Sequence, residues 1–184
     1  AEAASLHPQH MSCYELTIEP DTEYGRLNDK GKLYIPSEDV VIAMLEWTSQ
    51  YLTDLGCIHY EISNYALPGF KSRHNQIYWQ NRQYLGLGVA AFSYWGHRRW
   101  GNTANLQEYR EEIAVGRLPE GTTETLDVKD RMGETVMLGL RLAEGVSLAN
   151  LRARFGISVW DVWEEEIHYL LSQGLLELAR GRLR

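Results

Sequence analysis

Between Met11 and Ile18 the chain reads MSCYELTI, β-forming residues with partial alternation of apolar and polar positions. That pattern predicts a strand. Glu19-Pro20-Asp21 breaks it, and Gly25 to Gly31 is expected to be a polar loop. Ser37 is a good helix N-cap, with Glu38 and Asp39 in the first turn, where the helix dipole favours anions. Val40, Val41, Met44, Leu45, Trp47, Thr48, Tyr51, Leu52 and Leu55 then follow helical spacing, and Gly56 is placed to end the helix. Cys57 to Ile62 (CIHYEI) predicts a second strand. Strand, helix and strand at this spacing imply a βαβ unit, with parallel strands and a right-handed crossover. In such folds ligands bind at the carboxyl ends of strands, here Leu16 to Pro20 and Ser63 to Ala66.

Residues 67–83 are polar and aromatic, with Pro68 and Gly69, and are expected to form a loop at the same edge. A hairpin is expected around Gly96 to Trp100. After Thr103 the spacing turns helical. Leu106, Tyr109 and Ile113 form a short helix closed by Gly116, and Leu118 to Thr123 is a linker candidate. Met132, Val136, Met137 and Leu140 mark another helix. Ser147 caps a helix through Phe155, Ser158 caps one through Gln173, and Leu175 to Arg184 predicts a strand. Short helix, turn, longer helix and strand make a winged-helix-like order. Ala1 to Leu6 reads as the tail of a helix, and the last residues stop within a predicted strand, so a fragment of a longer chain is expected.

The net charge of −7 argues against nucleic acid as the main partner, because phosphate binding needs clustered cations. From Thr123 to Arg184 there are ten carboxylates and eight cations, and the candidate recognition helix carries Asp161, Glu164, Glu165 and Glu166. A winged helix used for packing or docking fits that balance better than one used on DNA. Two cysteines, Cys13 and Cys57, make neither a metal-ligand spacing nor a disulfide framework, which points to a reducing, cytoplasmic setting. No apolar run has the length of a membrane span.

Candidate chemistry concentrates in His74-Asn75-Gln76-Ile77-Tyr78-Trp79, an H-N-x-x-Y-W pattern. A neutral His can ligate haem iron, and Tyr78 and Trp79 offer flat faces to a porphyrin. A plain alternative stands: His74 and Asn75 hydrogen-bond a loop while the aromatics pack. If the segment is helical, His74 and Tyr78 share a face. Gly86 to Ala91 fits G-x-G-x-x-A, but the hairpin that follows is wrong for a dinucleotide fold. His97-Arg98-Arg99 either holds an anion such as a propionate or forms a solvated hairpin tip. Glu15 and Glu61 fall within predicted strands, where an ion pair and a catalytic role are both open.

In order, Ser12 to Pro20 (SCYELTIEP), Tyr60 to Ala66 (YEISNYA) with Pro68-Gly69, Ser72-Arg73-His74-Asn75 with Tyr78-Trp79, and Tyr84 to Gly88 (YLGLG) with Ala91 and Ser93 resemble the second half of oxygen-independent coproporphyrinogen III oxidase-like radical-SAM proteins. The similarity runs on through Gly139-Leu140-Arg141 and Gly174-Leu175-Leu176. It implies an α/β chain: the second part of a partial (β/α) radical-SAM barrel over 1–102, then a mostly helical, winged-helix-like C-terminal domain over 103–184. The family's C-x-x-x-C-x-x-C cluster motif is not in this sequence. The [4Fe–4S] cluster and most S-adenosylmethionine (SAM) contacts are therefore expected in the parent protein outside this chain, and the chain alone is expected to be inactive. Only Thr17, near the end of the first strand, is expected to touch SAM. H-N-x-x-Y-W resembles the haem-chaperone branch, which implies a haem site at His74, Asn75, Tyr78 and Trp79, with His74 on the iron. The implied function is binding haem and delivering it to a client haemoprotein. The alternatives are a coproporphyrinogen III dehydrogenase of porphyrin biosynthesis and a non-catalytic docking module. An open barrel half exposes apolar surface, so self-association is expected as well.

Overall fold

The computed structural model describes residues 2–184, and Ala1 of the predicted N-terminal helix tail lies outside them. The chain divides after Lys71 into two units, 1–71 and 72–184.

The first unit opens with a 3-10 turn, Ala3–Leu6, and continues as β1 (His10–Ser12), α1 (Glu23–Asp29), α2 (Glu38–Asp54), β2 (Ile58–Glu61) and β3 (Asn64–Ala66). Its sheet order is β1-β3-β2, and β3 runs antiparallel to both neighbours. The expected parallelism of the outer strands therefore holds in direction, but they are not adjacent. A turn at Ile62-Ser63 sends the chain straight back as β3 between them. Ser63 N–H donates to Glu61 Oε1 across that turn at 2.9 Å. β1 is also shorter than predicted: after the bond from Cys13 N to Ser63 O, residues 14–19 carry no regular secondary structure.

The polar loop expected at 25–31 is largely helix α1. Thr22 Oγ1 accepts from Gly25 N at 3.1 Å and caps it, and Glu23 pairs with Arg26 one turn on. α2 forms as predicted, with Gly56 left-handed just beyond it. Leu52 is its one fully buried side chain, in a cluster with Cys57, Tyr65, Met11, Cys13, Tyr51 and Leu67. Burying a leucine contributes roughly 1.5–3 kcal/mol. Val40, Ile42, Met44, Leu45 and Trp47 of the same helix are exposed.

The second unit comprises α3 (Arg73–Trp79), β4 (Phe92–Trp95), β5 (Arg98–Asn102), α4 (Leu106–Ala114), β6 (Glu120–Thr125), α5 (Val128–Gly139), β7 (Val146–Ser147), α6 (Leu148–Phe155), α7 (Trp160–Ser172), β8 (Leu178–Ala179) and β9 (Arg182–Leu183). The hairpin β4–β5 turns at Gly96-His97 as expected. The linker candidate at 118–123 instead enters β6, which pairs with β5 in the order β4-β5-β6. The ion pairs Arg98–Glu120 and Arg99–Glu124 join these strands. Thr and Glu pairing across an antiparallel sheet looks like polar linker in one dimension.

The C-terminal order α5, β7, α6, α7, β8, β9, with the sheet β7-β9-β8, is that of a winged helix. Its core buries Met132, Val146, Leu151, Val159, Ile167 and Leu183. The single strand expected from Leu175 is a tight hairpin, because Arg180 and Gly181 both take positive φ and reverse the chain. Arg184 and Glu177 pair at its base at 3.0 Å.

Candidate functional site

The segment expected to be loop from 67 to 83 contains α3, and its ends explain why. Ser72 Oγ accepts from Asn75 N at 3.2 Å and caps the N-terminus. At the other end Arg154 of α6 donates to the carbonyls of Gln80 at 3.1 Å and Asn81 at 2.5 Å, a cation on otherwise orphaned helix-terminal acceptors. Asn81 takes positive φ, is buried, and donates to Thr135 Oγ1 of α5 at 3.1 Å. The helix is therefore held rigidly against the winged-helix core.

α3 places His74 and Tyr78 on one face, one turn apart. Their rings meet edge to face with centroids 4.9 Å apart. Tyr78 continues to Tyr84 at 4.6 Å, and Tyr84 to Tyr94 at 6.4 Å. His74 is the exposed end of this row and Tyr94 the buried end. Beneath it, Arg99 grips Glu134 of α5 with two N–H donors, at 2.9 and 2.7 Å, and Glu124 with one at 2.7 Å. The guanidinium also lies 5.5 Å from the Tyr94 ring centre. The Glu134 carboxylate, and Glu124 after it, raise the Arg99 guanidinium above the ordinary arginine range, so it stays charged. Burial pushes the Tyr84 phenol up, more strongly than the neighbouring Arg99 charge pulls it down.

Trp79 is not part of this row. The Arg141 guanidinium stacks on its indole at 4.3 Å, and the indole N–H is buried without a hydrogen-bond partner among the described residues. The structure thus groups His74 with Tyr78 and gives Trp79 different neighbours. Asn75 is half-buried, its backbone N–H spent on the helix cap. Tyr84, Tyr94, Arg99 and Arg141 complete the surroundings of α3; Tyr84 lies in YLGLG, but nothing in one dimension pairs it with Tyr78. In the His97-Arg98-Arg99 cluster both arginines are committed to carboxylates, so neither expected reading, a free anion clamp or a solvated tip, describes them. His97 alone is exposed in the turn.

In the first unit Thr17 and Glu15 are exposed on the irregular segment after β1. Glu61 is 1% exposed and Asn64 is fully buried. Asn64 Nδ2 donates to Glu61 Oε1, and Ser12 Oγ donates to Asn64 Oδ1. This polar chain ties together the carboxyl ends of β1 and β2, the edge where a ligand site was expected. Burial holds the Cys13 thiol above its ordinary range.

No group of three or more His, Cys, Asp or Glu able to hold a metal ion occurs among the described residues, and no helix there is long and apolar enough to cross a membrane. Two cysteines are fewer than the three thiolates of the C-x-x-x-C-x-x-C motif, so the residues present do not fit a [4Fe–4S] cluster. For haem the chemistry differs: His74 is an exposed imidazole with the Tyr78 ring edge-on to it at 4.9 Å, the kind of side chain that would hold haem iron.

The whole chain superposes on the solved structure of the coproporphyrinogen III oxidase HemN from Escherichia coli, described there as a radical SAM enzyme. The TM-score is 0.74 at 17% identity, covering 100% of this chain and 45% of that one. The fold is therefore of the mixed α/β radical-SAM class followed by a C-terminal domain. The HemN C-terminal domain family matches residues 126–184. The chain is 33% identical over 174 residues to the heme chaperone HemW of Bacillus subtilis, covering 95% of this chain and 46% of that protein. It is 38% identical over 152 residues to HemW of Synechocystis, covering 81% and 37%. It is 32% identical over 186 residues to the mitochondrial radical S-adenosyl methionine domain-containing protein 1 of mouse, covering 95% and 42%. The chain belongs to the HemN/HemW-like radical SAM family. It spans less than half the length of each of these relatives.

Proposed function

We propose that this chain is the haem-binding part of a haem chaperone, with His74 as the iron ligand and a client haemoprotein as the receiver. The observation that carries the reading is the presentation of His74: exposed at the tip of a capped, anchored helix and backed by a row of three tyrosines. Similarity to proteins named heme chaperone HemW supports it. When bound, haem supplies the iron centre and the flat apolar face. The chain's own residues bind and orient. His74 offers a ring nitrogen, Tyr78 fixes the imidazole plane, and Ser72 and Arg154 hold the helix that carries both. Trp79 and Asn75 belong to the proposed site through the helix rather than through the tyrosine row. SAM and the cluster are assigned to the longer parent protein, with Thr17 as this chain's proposed SAM contact. The proposed setting is the cytoplasm.

A haem titration followed by absorbance tests this. The wild-type chain is expected to give saturable binding with a Soret band that shifts or vanishes in His74→Ala. Unchanged binding in that variant refutes His74 as the ligand. A second reading, a coproporphyrinogen III dehydrogenase of porphyrin biosynthesis, is supported by the fold shared with HemN. It gains if a folded chain shows no saturable haem binding.

A further inference from the structure

A cavity of about 580 Å³ within the second unit is lined by residues of α5, β7 and α6 together with 79–83, a size typical of small-molecule sites. Its wall carries Arg82, Arg154 and Arg182 against one carboxylate, Glu144. That sign is opposite to the net charge of −7 for the whole chain. Arg154 spends two N–H groups on the carbonyls of Gln80 and Asn81, and Arg182 two on those of Glu144 and Gly145. A guanidinium has five such donors in fixed geometry, so both are oriented and keep donors in reserve. Arg82 is exposed and forms no ion pair among the described residues.

Two further features have the same polarity. Helix α6 begins at this cavity, with Ser147 as its cap and Asn150 in its first turn, so the positive end of its dipole faces the same space. Trp79 also lines the cavity, and its buried indole N–H has no acceptor among the described residues, an unmet donor of the kind that folded proteins seldom leave. Three guanidiniums thus face a single carboxylate among the described residues of the wall, and that carboxylate, Glu144, is already close to Arg182, at 3.7 Å.

We propose that this cavity binds a small organic anion bearing two or more carboxylate or phosphate groups. Three guanidiniums and a helix N-terminus can share the charges of such a ligand, whereas a monoanion leaves donors unused. The cavity shares Trp79 with the helix proposed to carry haem, but neither His74 nor Tyr78 lines it, and the anion test below does not involve haem.

Calorimetry on the 184-residue chain with citrate and with pyrophosphate as probes tests the proposal and separates the carboxylate from the phosphate source. At least one probe is expected to bind saturably with Kd below about 1 mM. Arg82→Glu removes an unpaired surface cation, and Asn150→Asp adds a carboxylate at the start of α6 without changing shape. Each is expected to weaken binding about tenfold or more. Arg26→Glu, a charge reversal in the other unit, is expected to leave it within about twofold. The proposal is overturned if neither probe binds saturably. It also fails if Arg82→Glu and Asn150→Asp bind like wild type, or if Arg26→Glu weakens binding as much as they do.

Discussion

At the scale of single residues the row His74, Tyr78, Tyr84 and Tyr94 makes α3 more than a motif. Tyr84 is its most testable member. In an unfolded chain a tyrosine titrates near pH 10, and burial raises the folded value above that. Below about pH 10 both states keep the proton, and pH does not shift the balance. Above it the unfolded chain releases a proton that the folded chain retains, so stability falls until the folded phenol titrates too. Denaturation followed from pH 9 to 11 is expected to show a shallower alkaline loss in Tyr84→Phe than in wild type; equal slopes would show that Tyr84 is not the responsible group. His74 and Tyr78 stood out in the sequence through the H-N-x-x-Y-W pattern, and their sharing a face was conditional on a helix that the structure supplies as α3. Tyr84 was not, since its partnership with Tyr78 depends on how the chain returns after Asn81. Trp79 follows Tyr78 in the chain, yet the turn of the helix gives it a different contact, Arg141.

At the scale of elements, the longer periodic helices were legible, whereas the short helices α1 and α3 were expected to be loop and several strands were misplaced. Helices α2, α5 and α6 carry their apolar periodicity locally, and Asp127 and Ser147 cap the latter two. Strands need partners that sequence does not name. MSCYELTI has strand composition throughout, but only His10–Ser12 finds β3 beside it. The Thr- and Glu-rich stretch at 120–125 looks like linker until Arg98 and Arg99 face it across the sheet. The winged-helix order was visible because Ser147, Ser158 and Gly174 punctuate it. Its sheet depends on Gly145, which takes a φ of +65° and whose Cβ, if present, would collide with the Leu183 carbonyl on β9. Gly145→Ala is therefore expected to cost about 1–3 kcal/mol through backbone strain and the displaced strand. Chemical denaturation checks this; a variant as stable as wild type would mean that β9 shifts freely.

At the scale of the whole molecule, the first unit presents far more apolar surface than an isolated unit usually leaves bare. Val40, Ile42, Met44, Leu45 and Trp47 on α2, with Leu55 just after it, are all exposed. A helix apolar on most sides is normally covered. The chain alone is accordingly expected to self-associate in light scattering, and a charged substitution such as Ile42→Lys to raise the monomer fraction. A clean monomer at all concentrations would contradict this. The family was legible from the order of several short segments, and α/β topology and winged helix followed from it. How the side chains around α3 group was not, because that depends on the packing of α3 against α5 and α6. The central claim rests on one imidazole, and its most direct test is ligand rescue. Haem is added to His74→Gly with and without free imidazole, beside the wild-type chain, and the Soret region is recorded. The account predicts a lost or shifted band in His74→Gly that imidazole restores towards the wild-type spectrum. A His74→Gly spectrum identical to wild type without imidazole would contradict it.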